Sequence, residues 1–325
     1  MTQFFLPSPL GGEGRTGASV AVQLLHYRPW RGKFHSPAWS VWPVARLSLA
    51  MVFRRRLFWA LYGLALFIFL LFFFGQYLLF FAETQAEPRV SFGFAAVDTR
   101  AVIGLLRRVL KLNATAAMYM NLFWYQGYMV MVVLALAGSV LVGNDIRFGS
   151  LPFYLSKPLS PRHYLAGKCL AIAVFVNLMT TLPALLLFVQ YGLLTTADYF
   201  AESLHLLLGI LAYGLILSSF LSMALVATAV AVRRTVPLIM TWTTVFFFFR
   251  RLAEALVDRM YYDPRWKLID LWNDLYLVGN GCMGVDVNRL GRQPPLPEAA
   301  LVVAAVSVLC LTFLIRRIRG VEVVS

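Results

Sequence analysis

Long apolar stretches, each nearly free of charged residues, alternate with polar connections along most of this 325-residue chain. A helix of about 20 apolar residues crosses the hydrocarbon core of a bilayer, because each residue adds about 1.5 Å. The pattern therefore predicts an all-α integral membrane protein with six transmembrane helices. The predicted spans are approximately residues 57–81, 116–142, 165–194, 203–232, 235–257 and 299–315.

The fifth span is the weakest of these predictions. Only about fifteen apolar residues precede Arg250 and Arg251, fewer than the roughly 20 that a crossing needs. We expect the helix to continue to Val257, with the two arginines snorkelling to the interface or facing protein.

The N-terminal region divides into two parts. Residues 1–36 are rich in Gly, Pro and Arg, and we expect a disordered extension there; one hypothesis is that it precedes the native start. Residues 37–56 mix apolar residues with arginine, which is typical of an amphipathic helix in the membrane interface. A simple helical extension of the first span explains the same pattern equally well. Residues 57–325 then form a six-span domain.

Two connections on the predicted outer side, residues 82–115 and 258–298, are too long to be turns. Residues 99–112 have the pattern of an amphipathic helix. Residues 263–292 mix aromatic and apolar residues, which indicates interfacial or partly re-entrant helices before the last span. Non-helical backbone at membrane depth would have to be covered by protein.

The charges define an orientation and a class of partner. Only 14% of the residues are charged, against roughly a quarter in a typical soluble domain. With the N-terminus inside, seventeen basic and three acidic residues face the cytoplasm, so the whole net charge of +14 falls on that side. This distribution predicts a multi-pass protein of the plasma (inner) membrane with both termini cytoplasmic. The lipid bilayer, and no nucleic acid, accounts for the basic residues.

Few residues are candidates for chemistry. The three cysteines form no CxxC motif, and the sequence contains no HExxH motif and no GxxxxGK[ST] phosphate loop. Asn121, Gln126, Asn177 and Gln190 are the larger polar residues inside the spans, where such residues usually hold helices together. We therefore expect neither an enzyme nor an ion-coupled pump, and no bound metal or cofactor.

The connection after the second span, residues 143–168, has a definite order of parts. Asp145 lies near the start of a short predicted helix, where a carboxylate is favourable, and Gly149 permits a bend. An apolar knob follows, formed by Leu151, Phe153, Tyr154 and Leu155. Pro158 and Pro161 end the helix because proline lacks a backbone donor. Such a helix, with an apolar face and basic flanks, suits docking into a groove of another protein. The alternative is an interfacial hairpin resting on lipid.

The order D-x-R-x-G-S-L-x-x-x-L-S-x-P-L-S-x-x-x-Y-x-x-G-K, from Asp145 to Lys168, resembles the signature of permease subunits of the type-2 class of ABC exporters. The similarity extends to the six spans, the basic helix before the first span and the aromatic outer helices before the last. It leaves out residues 1–36. The resemblance implies a coupling loop seated in a cleft of a separate ATP-binding subunit, and a second permease copy, identical or paralogous. ATP would be bound by the partner subunit.

The candidate coupling residues that the resemblance implies are Asp145, Arg147, Gly149, Leu151, Phe153, Tyr154, Leu155, Lys157 and Pro158. Arg147 and Lys157 are expected to pair with acidic groups of the partner. The alternative function is a membrane anchor or assembly protein of an envelope complex, which would use the same loop only as a tether. The apolar spans are compatible with lipid-like cargo and equally with a pathway lined by Ser, Thr and Asn.

Overall fold

The computed structural model of the protein describes residues 39, 41–84, 89–92, 95–98, 104, 112, 115–138, 161–195, 198–232 and 234–319. The predicted extension 1–36 and nearly all of the predicted amphipathic helix 99–112 lie outside these residues. Six helices within them are long and apolar enough to cross a bilayer, which confirms the predicted all-α membrane fold.

Each predicted span corresponds to one long helix or, for the third span, to two consecutive helices. In chain order the helices are α1 (Val41–Phe53), α2 (Arg56–Thr84), α3 (Ala116–Gly138), α4 (Pro161–Met179), α5 (Thr181–Leu194), α6 (Asp198–Glu202), α7 (Leu204–Val232), α8 (Thr235–Arg259), α9 (Leu271–Cys282) and α10 (Leu296–Arg319). The spans are α2, α3, α4 with α5, α7, α8 and α10.

The spans differ in how much of their apolar surface is covered by protein. About 61% of the residues in the apolar windows of α3 and α7 are buried, against 22% in α2 and α8 and 17% in α10. Close approach to α7 depends on glycine: a Cβ placed on Gly214 would overlap the side chain of Thr181 in α5. Helices α3 and α7 therefore form the centre of the bundle, and α2, α8 and α10 expose apolar faces that suit lipid.

The third span is interrupted at Thr180, between α4 and α5. Pro183 has no N–H, so the carbonyl of Met179 loses its usual helical partner, which accounts for the interruption. The hydroxyl of Thr180 donates to the carbonyl of Val176 at 2.8 Å, and the hydroxyl of Thr181 donates to the side-chain oxygen of Asn177 at 2.6 Å. These bonds use polar side chains to stabilise a local bend inside an apolar span.

Helix α1 is a separate element and not an extension of the first span. The exposed residues Arg54 and Arg55 separate it from α2. The buried face of α1 is formed by Val44, Ala45, Ser48 and Val52. This face packs mainly on the start of α4. Helix α1 and the first span are therefore two consecutive helices separated by a break.

The fifth span is continuous from Thr235 to Arg259, as predicted. It contains two π turns, Thr244–Phe248 and Ala255–Arg259. The side chain of Arg250 is 17% exposed and that of Arg251 is 80% exposed. Arg250 therefore faces protein, whereas Arg251 faces outward. The two neighbouring arginines thus lie in different environments.

A short antiparallel hairpin lies in the connection between the first two spans. Strand β1 (Arg89–Phe92) pairs with β2 (Ala95–Asp98), with Arg89 opposite Asp98 and Val90 opposite Val97. The sequence analysis assigned no strand here. The signal was two four-residue runs separated by two residues, the first of which is glycine.

The connection before the last span folds back onto the bundle. It comprises a 3₁₀ helix (Pro264–Ile269), α9 and a second 3₁₀ helix (Val287–Leu290). The carboxylate of Asp270 accepts a hydrogen bond from the backbone N–H of Trp272 at 3.0 Å and so caps α9. Trp272 is fully buried, against Gly127 near the middle of α3. Helices are thus present between the fifth and sixth spans, as expected, and α9 packs against the bundle.

Replacing Gly127 by alanine or valine should destabilise the protein, because any Cβ there would overlap the indole of Trp272. We expect a loss of about 1–3 kcal/mol, typical of overpacking a core. The measurement is the thermal unfolding midpoint in detergent. Gly63→Ala in α2 is the matched control, since nothing lies within 4 Å of a Cβ there. Equal midpoints for the Gly127 and Gly63 variants would contradict the close packing of α9 on α3.

Candidate functional site

All nine candidate coupling residues, from Asp145 to Pro158, lie outside the described residues. The structure describes what flanks them. Helix α3 ends at Gly138 on one side, and α4 begins at Pro161 on the other. Both helices are well packed, so the segment between them connects two fixed points at the predicted cytoplasmic end of the bundle, called the inner end below.

The first turns of α4 are seated firmly on α1. A Cβ on Gly167 would lie 2.7 Å from the Cβ of Val44 and 2.9 Å from the carbonyl oxygen of Val41. Gly167 is therefore required for the close approach of the two helices. Lys168 is 2% exposed, and its ammonium lies 5.6 Å from the centre of the Tyr164 ring, a favourable cation–π arrangement. Gly167, the last glycine of the resembling sequence order, thus lets α4 lie directly against α1.

An apolar crevice of about 390 Å³ opens at the end of α1, where the chain passes into α2. Its walls come from three spans: Phe58 of α2, Val133 and Leu136 of α3, and Ile239 of α8. The break between α1 and α2 supplies Arg55 at its rim. The inner end therefore combines an apolar interior with a basic edge.

A second cavity, of about 480 Å³, lies near the opposite end of the bundle and is strongly polar. It is called the outer cavity below. Its lining comes from α3, α8, α9, the first 3₁₀ helix and the loop before α10. The ionisable side chains that line it are Arg250, Glu254, Asp258, Lys267, Asp270 and Arg292. The amides of Asn121, Asn273 and Gln293 and the rings of Trp124 and Tyr276 complete the lining.

Arg250 is held in place by one carboxylate and two aromatic rings. Its Nε donates to Oε1 of Glu254 at 2.9 Å. Its guanidinium lies 4.4 Å from the Trp124 ring centre and 5.0 Å from that of Tyr128. A charge-assisted hydrogen bond and cation–π contacts together offset the loss of hydration of an arginine within an apolar helix. Glu254 also accepts from the exposed Arg251 at 3.0 Å.

Lys267 and Asp258 form the second fixed ion pair of the outer cavity. The distance between Nζ of Lys267 and Oδ1 of Asp258 is 3.0 Å. The lysine side chain is only 9% exposed. Since leaving this ammonium buried without its partner would be costly, the pair ties the 3₁₀ helix to the end of α8.

Arg292, at the rim of the outer cavity, binds the loop before α10 to the end of α8. Its guanidinium donates to the backbone carbonyls of Val257, Tyr261 and Tyr262, at 3.2–3.3 Å, and lies 5.3 Å from the Tyr261 ring centre. These carbonyls belong to the end of α8 and the residues that follow it. An arginine there satisfies acceptors that the helix itself leaves unpaired.

Two buried carboxyl groups lie one helical turn apart at the start of α9. Burial raises the pKa of Asp270 to about 6, against hydrogen bonds from backbone N–H groups and the charge of Arg250, which lower it. Asp274 is fully buried, and neither of its carboxyl oxygens has a hydrogen-bond partner. Burial, and then the negative charge of Asp270, raise the pKa of Asp274 to about 8. Asp274 is therefore protonated at neutral pH.

No protein-family model and no curated protein sequence matches this chain. Its function is therefore inferred from its own residues and their geometry. Among the described residues, no group of three or more His, Cys, Asp or Glu side chains is placed to hold a metal ion.

The outer cavity was missed by the sequence analysis, although a signal was present. Arg250, Glu254 and Asp258 recur every four residues, which places three charges on one face of a helix. The acidic residues that accompany Arg250 show that the charged face is turned towards protein and water.

Replacing Asp274 by asparagine should stabilise the protein in alkaline conditions. Since the folded pKa of Asp274 lies above the ordinary carboxyl value, the native state binds the proton more tightly than the unfolded state. The stability of the wild type should therefore fall as the pH rises from about 4 towards 8, whereas asparagine cannot ionise. We expect the unfolding midpoint of Asp274→Asn to exceed that of the wild type by at least about 2 °C at pH 8.5.

The difference should shrink as the pH is lowered and be smallest below about pH 4, where the carboxyl is neutral in both the folded and the unfolded state. Asp198→Asn, at an exposed position at the start of α6, is the matched control for the substitution. A wild type as stable as Asp274→Asn across this pH range would show that Asp274 is not buried without a partner.

Proposed function

We propose that the chain is the transmembrane permease subunit of an ATP-driven exporter of the type-2 ABC class. In this proposal ATP hydrolysis takes place on a separate ATP-binding subunit, and two permease subunits, identical or paralogous, form the pathway. The protein lies in the plasma (inner) membrane with both termini in the cytoplasm. The chain itself is not an enzyme, and ATP is the cofactor of its partner.

The observation that carries the proposal is the close contact of Gly167 with α1. The sequence order from Asp145 to Lys168 resembles that of a coupling loop. Its last residues belong to the first turns of α4, which pack against α1. Any displacement of residues 145–156 by a partner would reach α4 and α1 together. A flexible tether would not need a buried lysine and a glycine-dependent contact immediately after it.

The proposal includes a route for the displacement through the membrane. Helix α4 leads to the interruption at Thr180 and Pro183, where a bend can change without breaking the packing of α5. Helix α7, the central helix, packs against both α4 and α5. Closure of two ATP-binding subunits would shift the permease between two arrangements only if the contacts differ between them.

The test of the proposal is purification of the native complex from the membrane. We expect a protein with Walker motifs to co-purify in stoichiometric amounts, and its ATP hydrolysis to increase when the permease is present. Co-purification of envelope proteins without an ATPase would support the alternative, a membrane anchor or assembly protein, and would overturn the proposal.

Charge reversal in the predicted coupling loop should weaken this assembly. We expect Arg147→Glu combined with Lys157→Glu to lower recovery of the ATP-binding subunit by about tenfold or more, because like charges would then meet across the interface. Arg316→Glu combined with Arg317→Glu changes the same number of charges at the inner end of α10 and is the matched control. Equal recovery and ATP hydrolysis in both double variants would contradict the assigned role of Arg147 and Lys157.

A further inference from the structure

The outer cavity contains one positive and one negative side chain that its internal ion pairs do not use. Arg250 pairs with Glu254, and Lys267 pairs with Asp258. In the part of the chain that the structure describes, Arg292 and Asp270 form no ion pair with a side chain of opposite charge. The six ionisable side chains of the lining sum to zero charge, and Arg292 and Asp270 are the two that neither ion pair uses, although the charge of Arg250 also acts on Asp270.

Both unmatched charges are fixed in position. Arg292 is held by three backbone carbonyls and by the Tyr261 ring, and these contacts use three of the five N–H donors of its guanidinium. Asp270 is 3% exposed and is oriented by the N–H of Trp272. Fixed groups lose little freedom on binding, so they favour a ligand whose charges match their positions.

The remaining lining suits a small polar molecule. The amide of Asn273 donates to the side-chain oxygen of Gln293 at 3.0 Å, and this bond joins α9 to the loop before α10. The rings of Trp124 and Tyr276 meet edge to face, with centroids 4.8 Å apart. Aromatic faces attract ammonium groups, and a cavity of about 480 Å³ lies in the size range of sites for small ligands.

The charge balance decides between classes of ligand. A purely anionic ligand would pair with Arg292 but leave Asp270 unmatched and repelled by the ligand. A purely cationic ligand would have the opposite defect. A ligand with both charges pairs with both groups. The gain is larger at Asp270, which is buried, than at Arg292, whose side chain is exposed at the rim.

We propose that the outer cavity binds a small zwitterionic ligand, with its anionic group on Arg292 and its ammonium group between Asp270 and the Tyr276 ring. Two sources share this chemistry: the headgroup of an amine-bearing phospholipid and a free zwitterionic solute. The inference does not depend on the proposed function, because it concerns the end of the bundle opposite the predicted coupling loop and requires no ATPase.

The test uses the full-length protein in a maltoside detergent and isothermal titration calorimetry. The probe is glycerophosphoethanolamine, which carries a phosphate and an ammonium group. Glycerol 3-phosphate carries only the anionic group, and ethanolamine carries only the cationic group. We expect saturable binding of the zwitterion at least about tenfold tighter than that of either fragment. Absence of saturable binding, or equal affinity for glycerol 3-phosphate, would overturn the proposal.

Variants separate the two contacts. Asp270→Asn should weaken binding of the zwitterion about tenfold and spare glycerol 3-phosphate, and asparagine also caps helices, so α9 should persist. Arg292→Gln should weaken both probes, whereas Arg292→Lys keeps the charge and should retain part of the affinity. Arg265→Gln is the matched control: this exposed arginine pairs with Glu298 and does not line the cavity. Identical affinities in the Asp270, Arg292 and Arg265 variants would overturn the assigned contacts.

The source of the ligand is distinguished in nanodiscs. If the phospholipid headgroup occupies the cavity, discs of phosphatidylethanolamine and phosphatidylglycerol should abolish binding of glycerophosphoethanolamine, and discs of phosphatidylglycerol alone should permit it. If a free solute is the ligand, both kinds of disc should bind the probe equally. Failure of the probe to bind in both kinds of disc would overturn the proposal.

Discussion

A hydrocarbon phase offers no hydrogen-bond partner to a peptide group or to a charge, and this constraint governs where each irregularity of the bundle lies. The interruption at Thr180 occurs beside hydroxyl and amide side chains that bond to neighbouring groups of the same span. The 3₁₀ helix before α9 begins at a cap, where the carboxylate of Asp263 accepts from the N–H of Arg265 at 2.9 Å, and its Lys267 pairs with Asp258. Arg250 enters α8 only with a carboxylate and two aromatic rings around it. Each departure from a continuous apolar helix has its compensating groups close by.

The spans were predictable from the sequence because hydropathy and length alone determine them. The fifth span, the weakest prediction, extends to Arg259. The charge of Arg250 does not end the helix because Glu254 and two aromatic rings stabilise it within the protein. The break before α2 was less visible, because Arg54 and Arg55 fit both an interfacial helix and an extended span. The hairpin at Arg89–Phe92 and Ala95–Asp98 rests on eight paired residues, too few for a periodic pattern to stand out among apolar spans.

The outer cavity could not be assembled from the sequence because its members are distant along the chain. Asn121, Arg250, Asp270 and Arg292 come together only when α9 folds back against Gly127. A glycine in the middle of a span predicts close packing but not which side chain approaches it. The candidate coupling residues present the reverse case: their sequence order is informative, and the structure describes only the helices on either side of them.

The two π turns of α8 have a geometric consequence. Each π turn is equivalent to one residue inserted into an α-helix, and a residue corresponds to about 100° of rotation about the axis. The turns enclose the six residues Phe249–Glu254, which carry Arg250, Arg251 and Glu254. Each π turn therefore rotates the residues beyond it relative to a continuous α-helix. The rotation helps to place Arg250 against Trp124 and Arg251 on the exposed side of the helix.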